Sequence, residues 1–148
     1  MSKAEAEEYT RDSYYQGQDF YHGTSAEASN SITTAGARWK RRSENSYGDG
    51  FYLTPLKATA IDYANDSKDP TVLSIRVNCR KPKVFSNGTD FYEFLARYDI
   101  PSNENDASFA TKILTIEGYD AIEIRGIPTL IIILNPQQIA VYNHESTT

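Results

Sequence analysis

Asp19-Phe20-Tyr21-His22-Gly23-Thr24-Ser25-Ala26-Glu27 decides how the rest of the chain is placed. Asp19 to His22 is apolar and aromatic enough for a short strand. Thr24 with Glu27 has capping-box spacing, in which a hydroxyl and a carboxylate satisfy free donors at a helix start. A helix is expected to follow, burying Ala28, Ile32 and Ala35 and stopping at Gly36. Upstream, Met1 to Gln18 is polar and charged, without the apolar core of a signal peptide, and reads as a flexible N-terminal lead-in to one domain spanning 19–143.

Downstream, a basic loop, Arg38 to Asn45, leads to Tyr47-Gly48-Asp49-Gly50, a turn. Phe51 to Thr54 is the next strand. Thr54-Pro55 reads as a cap with proline in the first turn, and Leu56, Ala60, Tyr63 and Ala64 as the apolar stripe of a second helix. Thr71 to Cys79 alternates, placing Leu73, Ile75, Val77 and Cys79 on one face of a half-buried strand, and Val84-Phe85 extends the same sheet. Asp90 with Glu93 opens a helix carrying Phe91, Phe94, Leu95 and Tyr98. Asp106 to Glu117 is a helix with Phe109, Ile113 and Ile116 inward and Gly118 as its stop. Strands follow near Asp120 to Arg125, Thr129 to Leu134 and Gln138 to Tyr142. The order implies an α+β domain with flanking helices and a twisted, mainly antiparallel sheet.

The chain has 148 residues, enough for one core, and a net charge of -5, which argues against broad nonspecific binding to nucleic acid. The single cysteine, Cys79, rules out an internal disulfide and reads as a small core residue. The two histidines, His22 and His144, have no ligand-like neighbours in sequence, so no metal is expected. Gly48-Asp49-Gly50 leads into a strand, which excludes a phosphate-binding glycine loop at a helix start. The longest apolar run, Leu130 to Leu134, is far below the roughly 20 residues that span a bilayer. The chain reads as soluble, cytoplasmic or exported by a machine that needs no cleavable signal.

What remains is Tyr21-His22-Gly23-Thr24 leaving a strand, then Gly50-Phe51-Tyr52-Leu53-Thr54, then Tyr63 one helix later. This arrangement resembles the catalytic domain of the ADP-ribosyltransferase superfamily. The similar branch is the one with the poly(ADP-ribose) polymerases and diphtheria-type toxins, whose signature is His, Tyr and usually Glu. The match is close over about a third of the chain, taking in Ile32, Gly36, Arg38 and Gly50. The resemblance implies that family's split sheet, a pocket between about Asp19 and Ala64, and NAD as substrate. Gly23 would hold the nicotinamide carboxamide through its main chain, and His22 would bond a ribose hydroxyl. Tyr52 and Tyr63 would stack on the ring, while Thr24 and Arg38 reach toward the adenosine side. It also implies transfer of ADP-ribose to a protein or nucleic acid, as in a toxin or effector with an antitoxin or immunity partner.

Two positions depart from the family pattern. Its glutamate would fall at Thr129 or Leu130, ahead of Asn135-Pro136, and neither is acidic. That loss argues against chain building and leaves mono-ADP-ribosylation, NAD hydrolysis or an inactive NAD-binding module. Ala60 stands where some relatives have a serine that bonds the carboxamide. Glu123, between Ile122 and Ile124, is a candidate displaced carboxylate, though an exposed strand residue paired with Arg125 is the plainer reading. Beyond Arg38, the basic loop Trp39 to Arg42 reads as solvated, with a phosphate or nucleic-acid contact as the alternative.

Overall fold

The computed structural model describes residues 1–36 and 47–147. Expectations for Arg38 and the basic loop lie outside the described residues. The elements run α1 (Lys3–Tyr9), β1 (Phe20–Ser25), α2 (Ala26–Ala35), β2 (Phe51–Leu53), α3 (Lys57–Ala64), β3 (Pro70–Val77) and β4 (Pro82–Phe85). They continue with α4 (Gly88–Leu95), α5 (Asp106–Ile116), β5 (Ala121–Ile124), β6 (Leu130–Ile133), a 3-10 turn (Pro136–Gln138) and β7 (Ile139–Ser146). The class is α+β.

The strands form two mostly antiparallel sheets, β1-β3-β7 and β2-β6-β5-β4, with β4 parallel to β5. Val84 and Phe85 therefore lie in the second sheet rather than extending β3. The inner faces share one core, built by Phe20, Leu73, Ile75 and Val77 from the first sheet and Phe51, Leu53, Ala121, Ile131 and Ile133 from the second. The outer face of the second sheet, with Ile122, Ile124 and Ile132, is covered by Phe91, Phe94 and Leu95 of α4 and Phe109 and Leu114 of α5. Period-2 alternation thus sends neighbouring residues of β2, β5 and β6 into different cores.

Local chemistry shifts several boundaries. Strand β1 runs on to Ser25, whose hydroxyl, not that of Thr24, caps α2 by accepting from the Ala28 amide. Glu27 then falls one position short of a capping box. Gly36 ends the helix at φ 87°, a conformation that suits glycine, and Ala35 is exposed. Helix α3 begins at Lys57 with no side-chain cap, because Thr54 is still engaged with β1. Its buried stripe is narrow: Ala60 and Ala64 are inaccessible, whereas Leu56 and Tyr63 are 59% and 57% exposed. Asn87, rather than Asp90, caps α4, and Ile116 projects from α5 into solvent.

Strand β3 is buried on both faces, since α3 packs against the side away from the inner core. The segment expected to be a frayed lead-in is ordered and packed. A capping box between Ser2 and Glu5 opens α1, and Ala6, Thr10, Ser13 and Tyr15 are buried. The Ser13 hydroxyl accepts from the Cys79 amide at 2.9 Å, and the Tyr14 amide donates to the Cys79 carbonyl at 2.6 Å. Among the described residues, no helix is long and apolar enough to cross a membrane.

Candidate functional site

Among the described residues, main-chain hydrogen bonds join the two sheets at a single pair. Tyr21 and Thr54 exchange both main-chain hydrogen bonds, at 2.9 and 3.0 Å, joining β1 to β2. In an antiparallel ladder the next such pair would be Gly23 with Tyr52. No hydrogen bond forms between their main chains. Instead the His22 ring occupies the divergence, with Nδ1 2.7 Å from the Tyr52 carbonyl oxygen and its face stacked on Phe51 at 4.2 Å.

The consequence for Gly23 follows from the alternation of the ladder. Phe20, His22 and Thr24 turn their main-chain groups toward β3, opposite Ile75, Leu73 and Thr71. Tyr21 and Gly23 turn theirs away, Tyr21 into its bonds with Thr54 and Gly23 into the split. Among the described residues, nothing bonds to the Gly23 N–H or C=O. On the other side of β1 the Cα of Gly23 touches α3: a Cβ there would lie 1.9 Å from the Ala60 carbonyl oxygen. Gly23 and Ala60 are therefore in contact, and Tyr63 stands on the following turn of α3, open to solvent.

A carbonyl can only accept, so Nδ1 of His22 is the protonated nitrogen, and in the neutral ring Nε2 is left as an acceptor. Burial holds the ring's pKa below the usual histidine range, partly opposed by the bond to the Tyr52 carbonyl. His22 is thus biased toward a neutral ring of fixed tautomer.

Tyr52 belongs to the outer face of the second sheet, on the side of α4 and α5. Its hydroxyl donates to the Gly48 carbonyl at 2.7 Å and accepts from the amides of Tyr47 and Gly48, both at 3.1 Å. The phenol oxygen is committed to holding the turn before β2. Asp49 fastens that turn to α5, its carboxylate accepting from Ser108 at 2.6 Å and its amide donating to Thr111 at 2.8 Å. Leu130 lies on the same outer face as Tyr52, at the start of β6. Thr129 closes the preceding turn, donating its hydroxyl to the Gly126 carbonyl at 3.1 Å. Thr24 is half-buried beside Thr71.

Glu123 points the other way, opposite in face to its neighbours Ile122 and Ile124. It is paired with Arg125 as expected, at 2.8 Å, but it is buried, not exposed, and its second oxygen accepts from the Tyr15 hydroxyl at 2.7 Å. It stands on the inner face, whereas Leu130 and Tyr52 are on the outer one. Sequence reasoning missed Tyr15 and Phe51. The alternation of Phe51-Tyr52-Leu53 carried a signal for the latter; Tyr15 had none. Asp120, read as a turn residue, collects bonds from the amides of Arg80 and Lys81 and from the Cys79 thiol.

The geometry therefore brings together His22, Gly23, Ala60 and the main chain of Tyr52. No family model and no curated protein matches the chain.

Proposed function

We propose that this protein has the ADP-ribosyltransferase fold, binds NAD at the split between β1 and β2, and transfers a single ADP-ribose to a macromolecular acceptor. The observation that carries the reading is the main chain of Gly23: one donor and one acceptor, side by side on an unpaired strand edge, the complement of a primary carboxamide. Its immediate surroundings agree in kind. His22 offers Nε2 as an acceptor for a ribose hydroxyl. Tyr63 presents a solvent-facing ring next to Ala60, suited to stacking on a flat heterocycle.

In this reading the nicotinamide–ribose C–N bond breaks, the electron pair leaves with neutral nicotinamide, and the acceptor nucleophile attacks the ribose carbon and loses its proton. The protein contributes positioning and fixed dipoles rather than covalent chemistry. Leu130 and Thr129 supply no charge to polarise an acceptor, which favours one transfer over chain growth. The same apolar position favours a second reading, an NAD-binding module without turnover.

Incubation of the purified protein with adenylate-labelled NAD and whole-cell lysate separates the possibilities. Transfer puts label into protein or nucleic acid; hydrolysis releases free ADP-ribose; the module binds NAD and does neither. His22→Ala should abolish incorporation, and full-rate labelling in that variant overturns the pocket assignment.

A further inference from the structure

We infer that His22 is a wedge: its Nδ1–H takes the carbonyl that Gly23 would otherwise claim, and so keeps β1 and β2 from zipping together across the site. The register leads to this directly. Tyr21 and Thr54 already form a doubly bonded pair, and strands in that geometry add the next pair at little entropic cost, because its residues are already aligned. Gly23 has no Cβ to obstruct pairing and Tyr52 turns its carbonyl toward β1, yet the pair is not made. The group that stands in its place is the imidazole, held at 2.7 Å to that carbonyl and stacked at 4.2 Å on Phe51. Phe51 is 4% exposed and cannot swing aside, so the ring is fixed from below and at its edge.

One imidazole then has two separable duties. Nδ1 holds the split open, and Nε2, unprotonated in the neutral ring, is left as an acceptor. The first is a positioning role, exerted on Gly23 through the Tyr52 carbonyl, and it stands on geometry alone. Its benefit to a carboxamide ligand rests on the nicotinamide reading above.

Amide hydrogen exchange on the full, unliganded chain tests the wedge. In the wild type the Gly23 amide should exchange at least about tenfold faster than those of residues 22 and 24, which bond to β3. His22→Gln carries its nitrogen at the ε rather than the δ position, so the strands should close and the Gly23 amide should slow about tenfold. His22→Ala should do the same, while His22→Asn, with a donor at the δ position, should leave Gly23 as fast as in the wild type. Titration with free nicotinamide, which has no ribose, should show affinity retained in His22→Asn and lost in His22→Gln. A Gly23 amide already protected in the wild type overturns the wedge. So does one unchanged in His22→Gln while residue 24 keeps its protection. If the exchange pattern holds but neither nicotinamide nor NAD binds, the wedge stands and the enzymatic reading fails. Binding without the exchange pattern gives the converse.

Discussion

Replacing Gly23 by alanine asks whether α3 is seated on β1 as described. The added Cβ would stand 1.9 Å from the Ala60 oxygen, 2.9 Å from the Ala60 carbonyl carbon and 3.0 Å from the Ala64 nitrogen. All three are main-chain atoms, so no rotamer change relieves the clash; α3 must move by more than an ångström, or β1 must bend. Overpacking of a tight core costs about 1–3 kcal/mol, and a rigid obstacle places this variant at about 3 kcal/mol. For a chain of this size that is a fall in Tm of roughly 10 °C. Urea denaturation should show a lower midpoint at unchanged slope. Gly126→Ala is the matched control, because its Cβ would meet only the Pro128 oxygen at 3.6 Å, an ordinary contact, and it should stay within about 0.5 kcal/mol of the wild type. Equal stability of the two variants would refute the close approach of helix and strand. It would also return the case for Gly23 to ligand binding alone.

Tyr63→Ala should leave stability within about 0.5 kcal/mol, since the ring is exposed, yet weaken nicotinamide binding about two- to tenfold, the worth of one stacked ring. Unchanged affinity by calorimetry would remove Tyr63 from the site. Glu123→Ala strands the Tyr15 hydroxyl and should cost about 1–3 kcal/mol in urea, while transfer per folded molecule stays at the wild-type rate. A loss of activity far beyond the loss of fold would restore Glu123 as a catalytic carboxylate. Stability should also depend on His22 as pH falls. The folded ring has the lower pKa, so the unfolded chain binds the proton first. The His22 contribution is then complete above the unfolded pKa near 6.5 and declines as pH drops from there through the folded value. The midpoint in urea should fall more steeply on acidification from about pH 7 to pH 5 for wild type than for His22→Asn; parallel profiles would contradict this. Asp19 acts elsewhere on the scale. Burial raises its pKa, but bonds from Tyr142 and Arg76 outweigh that and hold it below 3.8.

Elements with strong periodicity were legible from the residues. The inward faces of β3 and α4 follow from apolar spacing, because burial in a sheet or helix is a one-dimensional pattern; on α5 only Phe109 and the partly buried Ile113 do, while Ile116 points to solvent. Partnership between elements was not. Nothing in Val84-Phe85 says which sheet it joins, and nothing in Ser13-Tyr14-Tyr15 says that a polar segment will dock on Cys79. Caps were misplaced where hydroxyls are adjacent: Thr24 and Ser25 are chemically equivalent, and the strand's reach into β3 decides between them. Tyr63 looked like a core residue because helical spacing reports which face it shares with Ala60, not how near β1 lies; so close an approach leaves room for alanine and expels larger side chains. At the candidate site, the nearness of His22 and Gly23 is given by their adjacency in the chain, but Tyr52 joins them through its carbonyl rather than its ring, and a bond to a main-chain carbonyl leaves no trace in side-chain identity.

The docking of residues 13–15 makes Cys79 a natural reporter. Its thiol is buried, donates to Asp120 at 3.1 Å, and has its pKa pushed up by desolvation and by that carboxylate, so almost no thiolate exists at neutral pH. An alkylating reagent should therefore label this sulfur only in molecules whose first segment has peeled away. The labelling rate would then measure how often the chain's beginning lets go, in the absence of any ligand or assay of turnover.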